Sequence, residues 1–134
     1  MSATLTEFPA AGITISAAAE ASGLSVDTLR YYEKEGLTLD PPDRSASGQR
    51  RYAESDVRWL GTLVMLRKTG MPIRDIKDFV ALYRVEGSEQ QRMDILQRHR
   101  EHVLDDLREV QQHLEAIERK IDFYCTIIDK KVKA

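Results

Sequence analysis

The chain contains a single cysteine, Cys125, among 134 residues. It has no internal partner, so a disulfide framework is excluded, as is a structural zinc site built on thiolates. No stretch approaches the roughly 18 consecutive apolar residues of a membrane span. The N-terminus lacks a basic segment followed by an apolar one, so no secretory signal is read there. A cytoplasmic protein with no membrane partner is expected. There is no nucleophile–base pair, no glycine-rich phosphate loop and no metal-ligand cluster, so neither an enzyme nor a cofactor is expected. Glycine and proline are absent after Gly87, so the last third of the chain lacks the residues that most readily turn a backbone.

A strong net charge is missing as well. Twenty Lys and Arg against 22 Asp and Glu leave −2, a total that does not point to nucleic acid. The distribution does. Between Arg44 and Arg74 stand seven basic residues (Arg44, Arg50, Arg51, Arg58, Arg67, Lys68, Arg74) and two acids (Glu54, Asp56), a local +5. From Asp75 onward eleven basic and thirteen acidic residues give −2. A basic patch on one lobe is the electrostatic footprint of a nucleic-acid binder. The competing reading is a solvated surface. Hydrophobic residues make up 42%, enough for one small core plus an extension.

Residues 1–12 have no periodicity and read as a loose tail. Ile13-Thr14-Ile15 suits a short strand, and Ser16 suits the cap of an alanine-rich helix through Ala21. Ser22-Gly23-Leu24 makes a tight connection. Ser25 then caps a second helix, with Asp27 in its first turn and Gly36 just past its end. Val26, Leu29 and Glu33 share one side, while Arg30, Tyr31 and Lys34 point elsewhere. Two short helices joined by a glycine turn form the helix-turn-helix pattern. A second helix offering Arg, two tyrosines and Lys suits a groove lined with phosphates and base edges.

Pro41-Pro42 and Ser45-Ala46-Ser47-Gly48 then rule out helix. With Leu37 and Leu39 before and Arg50-Arg51-Tyr52 after, they predict a small two-stranded wing with basic residues at its base. Ser55 suits the cap of a third helix, with Asp56 in its first turn and an apolar stripe of Val57, Leu60, Leu63, Val64 and Leu66. Gly70 ends it and Pro72 opens a fourth, which should turn Ile73, Ile76, Val80 and Tyr83 inward.

Ser88-Glu89-Gln90-Gln91 has the form of a capping box. Beyond it Val103, Leu107, Val110, Leu114, Ile117, Ile121, Tyr124 and Ile128 recur at steps of three and four, with Met93 and Leu96 in the same register. That is a heptad seam over about four to five repeats. A helix of roughly 40 residues would run about 60 Å, too long to bury its seam against the preceding domain. A partner chain is the simplest cover, and the residues assigned to the dimer interface are Leu96, Val103, Leu107, Val110, Leu114, Ile117, Ile121, Tyr124 and Ile128. The alternative, a hairpin within one chain, has no turn residues to make it. The expected domains are a tail (1–12), a DNA-binding domain (13–86) and a coiled-coil helix (87–134).

The run Thr28-Leu-Arg-Tyr-Tyr-Glu-Lys-Glu-Gly-Leu37, the wing pattern Arg44-x-x-x-Gly48-x-Arg50-x-Tyr52, and Leu66-Arg-Lys-Thr-Gly-Met-Pro-Ile-Arg-Asp-Ile76 together resemble the MerR family of bacterial transcription regulators. The resemblance implies a mainly α fold: a winged helix-turn-helix domain, then a long helix forming an antiparallel coiled coil in a homodimer. It also implies binding to a near-palindrome in an overlong promoter spacer, with the DNA kinked and untwisted so that RNA polymerase can use the promoter. Carried to this chain, Ser25, Thr28, Arg30, Tyr31 and Lys34 should face the DNA. Tyr32 should lie near the sugar-phosphate edge. Arg44, Ser47, Gly48, Arg50 and Tyr52 should act from the wing, and Arg74 should anchor the outer backbone. Tyr32 and Tyr52 have a second reading as core aromatics. Ser47 and Gln49 stand where the family usually has Asn before its glycine and Tyr after it. Arg58, Arg67 and Lys68 are expected to be solvated or bonded within the chain.

The expected effector is harder to read. Metal-sensing members carry cysteines near the start of the long helix; none lies between Tyr83 and Gln91. His99, His102 and His113 are expected on the helix surface, with no metal. The chain ends at Ala134, so an appended drug-sensing domain is not expected. The segments His99-Arg-Glu-His-Val103 and Lys120-Ile-Asp-Phe-Tyr124 resemble the short branch that responds to aldehydes and other electrophiles. That branch is often linked to a cysteine in the third helix, where this chain has Met65. Cys125 is the remaining thiol; it could sense oxidants if exposed as a thiolate, which Arg119 or Lys120 would favour, and otherwise it is a passive small residue. Two other functions stay open at this point: an architectural or recombination-accessory DNA-bending protein of the same fold, and a coiled-coil interaction protein.

Overall fold

Side-chain caps start the first two helices. The structure, a computed structural model, describes residues 8–39, 43–44 and 50–133. Helix α1 spans Ile15–Ser22 and is capped by Thr14, whose hydroxyl accepts from the Ala17 N–H. The expected cap, Ser16, lies inside the helix. Gly23 ends α1 at φ 76°, a left-handed conformation that costs a residue without a Cβ nothing. The N–H groups of Gly23 and Leu24 both return to the Ala19 carbonyl. Helix α2, Val26–Lys34, starts at Ser25 as expected, its hydroxyl accepting from the Thr28 N–H at 3.0 Å.

The wing is a ribbon of two short antiparallel strands, β1 (Asp43–Arg44) and β2 (Arg50–Arg51), with Asp43 opposite Arg51 and Arg44 opposite Arg50. The strand expected at 13–15 is a single bridge: Ile13 and Tyr52 exchange both backbone hydrogen bonds, while Ile15 enters α1. Gly12 makes room for it. A Cβ there would come within 2.8 Å of the Tyr52 carbonyl oxygen.

Helix α3, Glu54–Lys68, begins earlier than expected, because Asp56 reaches back to accept from the Ala53 N–H at 2.8 Å, leaving Ser55 inside the first turn. Its buried residues are Trp59, Leu60, Leu63 and Leu66. Helix α4, Ile73–Tyr83, buries Ile76 and Val80, and Phe79 stacks on Trp59 with ring centroids 5.5 Å apart. Tyr83, expected inward, is exposed: Phe79 and Leu82 take the core side, and Tyr83 lies under the Arg92 guanidinium.

Helix α5 runs from Glu89 to Lys133. The chain divides into two units, Met1–Ile95 and Leu96–Ala134. The first holds the core, in which Leu29 of α2, Leu37, Leu63, Met71 and Ile76 are almost fully buried. Each such side chain is worth about 1.5–3 kcal/mol relative to exposure. The second is helical and carries a row of exposed apolar side chains: Leu107, Val110, Leu114, Ile117, Ile121, Tyr124 and Ile128. Leu96 is also exposed and Val103 is half-buried. Among the described residues, no helix is long and apolar enough to cross a membrane.

Candidate nucleic-acid interface

The inward face of α2 is fixed by Leu29, 1% exposed, with Val26 and Tyr32 packed against the core. At 3.6 residues per turn, that leaves Arg30, Tyr31 and Lys34 outward. All three are exposed, Tyr31 at 51%. The Arg30 side chain, 56% exposed, lies 3.9 Å from Asp27. A pair so open to solvent is worth about 0–1 kcal/mol, so Arg30 can leave it for a base edge or phosphate at small cost. Ser25 and Thr28 are already engaged: the Ser25 hydroxyl donates to Thr28 Oγ1 at 2.8 Å besides capping the helix.

Tyr31 and Tyr32 sit at a tilt of 52°, 5.9 Å apart, one exposed and one half-buried. Tyr52 corrects an expectation. It is 1% exposed, and its hydroxyl donates to Glu33 Oε2 of α2 at 3.3 Å. A ring so enclosed fits the second reading, a core aromatic, rather than a phosphate grip from the wing; it joins the wing's base to α2. Ser47 and Gly48 lie outside the described residues, as do the side chains of Arg44 and Arg50. Arg74, at the start of α4, is 84% exposed beside Asp75. Arg58 pairs with Glu54, and Arg67 Nη1 donates to the Met71 carbonyl, so both are engaged within the chain.

The candidate effector residues separate. His99 is 9% exposed, a correction to its expected place on the surface, whereas His102 and His113 are exposed. Among the described residues, no group of three or more His, Cys, Asp and Glu is placed to hold a metal ion. Cys125 is an exposed free thiol, with Ile121, Tyr124 and Ile128 around it on the same helix.

Two residues that sequence reasoning passed over hold the segment that follows α2 against α3 and the end of α4. Trp59 Nε1 donates to the Leu37 carbonyl at 2.7 Å, and Arg84 donates to the carbonyls of Thr38 and Leu39. Trp59 is the chain's lone tryptophan beside the apolar stripe of α3, a visible signal. Arg84 lies 45 residues from Leu39, and nothing local marks it.

The MerR HTH family regulatory protein family matches residues 13–82. The uncharacterized HTH-type transcriptional regulator YyaN of Bacillus subtilis (strain 168) is 36% identical over 133 residues, covering 90% of this chain and 96% of that one. An uncharacterized HTH-type transcriptional regulator of Haemophilus influenzae (strain ATCC 51907 / DSM 11121 / KW20 / Rd) is 35% identical over 112 residues, 83% of this chain and 82% of its own length. Among solved structures, HiNmlR, described as a MerR family regulator lacking the sensor domain and bound to promoter DNA, superposes with a TM-score of 0.74 at 35% identity, covering 83% of this chain and 88% of that one. An exposed Arg–Tyr–Lys face on the second helix of a helix-turn-helix, a two-stranded wing beside it and these relatives agree: the chain belongs to the MerR family of helix-turn-helix transcription regulators.

Proposed function

We propose that the protein works as a homodimer on a near-palindromic operator between two promoter hexamers, with residues 13–86 reading DNA and 87–134 pairing the chains in an antiparallel coiled coil. The observation that carries this is the apolar row from Leu107 to Ile128, which is exposed along the second unit. A soluble chain rarely leaves so continuous an apolar stripe in water, and its heptad spacing suits a second copy of itself. Two α2 faces would then enter successive major grooves, with Arg30, Tyr31 and Lys34 against bases and phosphates and Arg74 on the outer backbone. Bending and untwisting the spacer would bring the hexamers into line, so RNA polymerase is affected through the DNA. Promoter-bound HiNmlR, at 35% identity, supports DNA as the ligand. Electrophile or oxidative stress is the proposed signal, with Cys125 as the candidate thiol, and the cytoplasm, on the nucleoid, is the proposed location.

Footprinting of the region upstream of the protein's own gene, with and without candidate electrophiles, tests this reading. The expected result is protection of a two-fold sequence inside the promoter spacer, with bases at its centre made hyper-reactive by distortion. Uniform or absent protection sinks it.

A further inference from the structure

Three consecutive carbonyls lead out of the recognition helix toward the wing, and each is held by a side chain from α3 or from the end of α4. Leu37 O accepts from Trp59 Nε1 at 2.7 Å. Thr38 O accepts from Arg84 Nη2 at 3.2 Å. Leu39 O accepts from Arg84 Nε at 2.9 Å and Nη2 at 2.6 Å. Carbonyls in an irregular segment commonly turn to water; these are pinned. Leu37 and Leu39 also bury their side chains in the core, so the strap is fixed on both of its sides.

The holders are themselves fixed. Trp59 stacks on Phe79 at an interplanar angle of 4°. Arg84 is the C-cap residue of α4, and two residues before it the Leu82 carbonyl accepts from the buried Ser88 hydroxyl at the entry to α5. Beyond the strap, β1 begins at Asp43. The paired residues described there are two per strand, too few to set the ribbon's direction, so its direction comes from its base: the Ile13–Tyr52 bridge on the β2 side and the strap on the β1 side.

We propose that Arg84, together with Trp59, is a positioning residue for DNA binding: its planar fork holds the strap so that the β1–β2 ribbon, carrying Arg44, Arg50 and Arg51, meets the duplex at one angle. This rests on the reading that the chain grips promoter DNA. A fork is required because Nε and Nη2 of Arg84 close together on the one Leu39 carbonyl, a paired grip that the single ammonium of a lysine does not reproduce. Loss of the fork releases the β1 side of that base, the β2 side staying on the Ile13–Tyr52 bridge, and weakens the ribbon's phosphate contacts while α2 keeps its own.

The test titrates the full-length protein onto a fluorescent duplex from the region upstream of its own gene, at several salt concentrations between about 50 and 200 mM. Wild type, Arg84→Ala, Arg84→Lys and Trp59→Phe are compared, each with its thermal midpoint. Arg84→Ala is expected to bind about tenfold more weakly and to lower the log–log salt slope by about one to two, since each phosphate contact contributes about 0.9. Arg84→Lys should fall with it. Trp59→Phe, which keeps a ring but loses the N–H, should move the slope the same way. Wild-type slope in Arg84→Ala overturns the tether. Recovery of the slope by Arg84→Lys also overturns it, by making Arg84 a direct phosphate contact. If Arg84→Ala does not fold, Arg84→Lys and Trp59→Phe decide by the same criteria. Failure of the wild type to bind the duplex removes the preceding reading and this one together, whereas wild-type binding with unaltered variants removes the tether alone.

Discussion

Arg30 illustrates how a single side chain can be free to work. Its exposed pair with Asp27 at 3.9 Å holds it too weakly to compete with a base edge, where a good contact discriminates by about 1–3 kcal/mol. Arg30→Ala is therefore expected to weaken specific binding by about that amount per half-site, read by titration of an operator duplex; unchanged binding would remove α2 from the recognition role. Tyr52 is the opposite case. Its ring is enclosed and its hydroxyl bonds Glu33, so Tyr52→Phe should cost about 0.5–1.5 kcal/mol in urea unfolding. An unchanged midpoint in that variant would mean that water replaces the bond. Cys125 is exposed among apolar neighbours on one helix. If it is passive, Cys125→Ser leaves the promoter response to electrophiles intact; a reporter that stops responding would make it the sensor.

At the scale of elements, the caps carry most of the local logic. Ser25 satisfies the Thr28 N–H at 3.0 Å, and with its hydroxyl removed that donor at the front of α2 loses its partner. Ser25→Ala should lower stability by about 1 kcal/mol, measured as a shift of the urea midpoint. A stability loss near zero would mean that water replaces the cap. The start of α3 shows why such positions are hard to read in advance. Ser55 is the better cap by residue type, yet Asp56 bonds back to the Ala53 N–H, and an acid at the third helical position can begin the helix before the serine. Tyr83 fails for a related reason: at the last turn of α4 the helical period no longer binds it to the core, and the Arg92 guanidinium lies 5.4 Å over its ring.

For the molecule as a whole, the row from Leu107 to Ile128 is decisive. Leu107, 59% exposed, begins it, and Leu114 lies one heptad further on. Two buried lysines in a dimer seam would each need a partner or solvent, so Leu107→Lys with Leu114→Lys should give monomers by light scattering, without lowering the helicity of residues 13–86. A species that stays dimeric would place the interface elsewhere. Operator binding should fall with dimerisation, because two linked half-sites gain from their effective concentration and a lone head does not.

The helix-turn-helix, the wing and the long last helix were legible from residue order because each depends on local chemistry: a cap, a glycine turn, a proline break, a heptad. The outward face of α2 was legible for the same reason, since helical geometry opposes Arg30, Tyr31 and Lys34 to Leu29. Tertiary structure alone decided the burial of Tyr52, its bond to Glu33, and the grip of Trp59 and Arg84 on the strap from Leu37 to Leu39. Those contacts join residues 19 to 46 positions apart, and no periodicity in a chain encodes which distant donor a backbone carbonyl will meet when the helices pack.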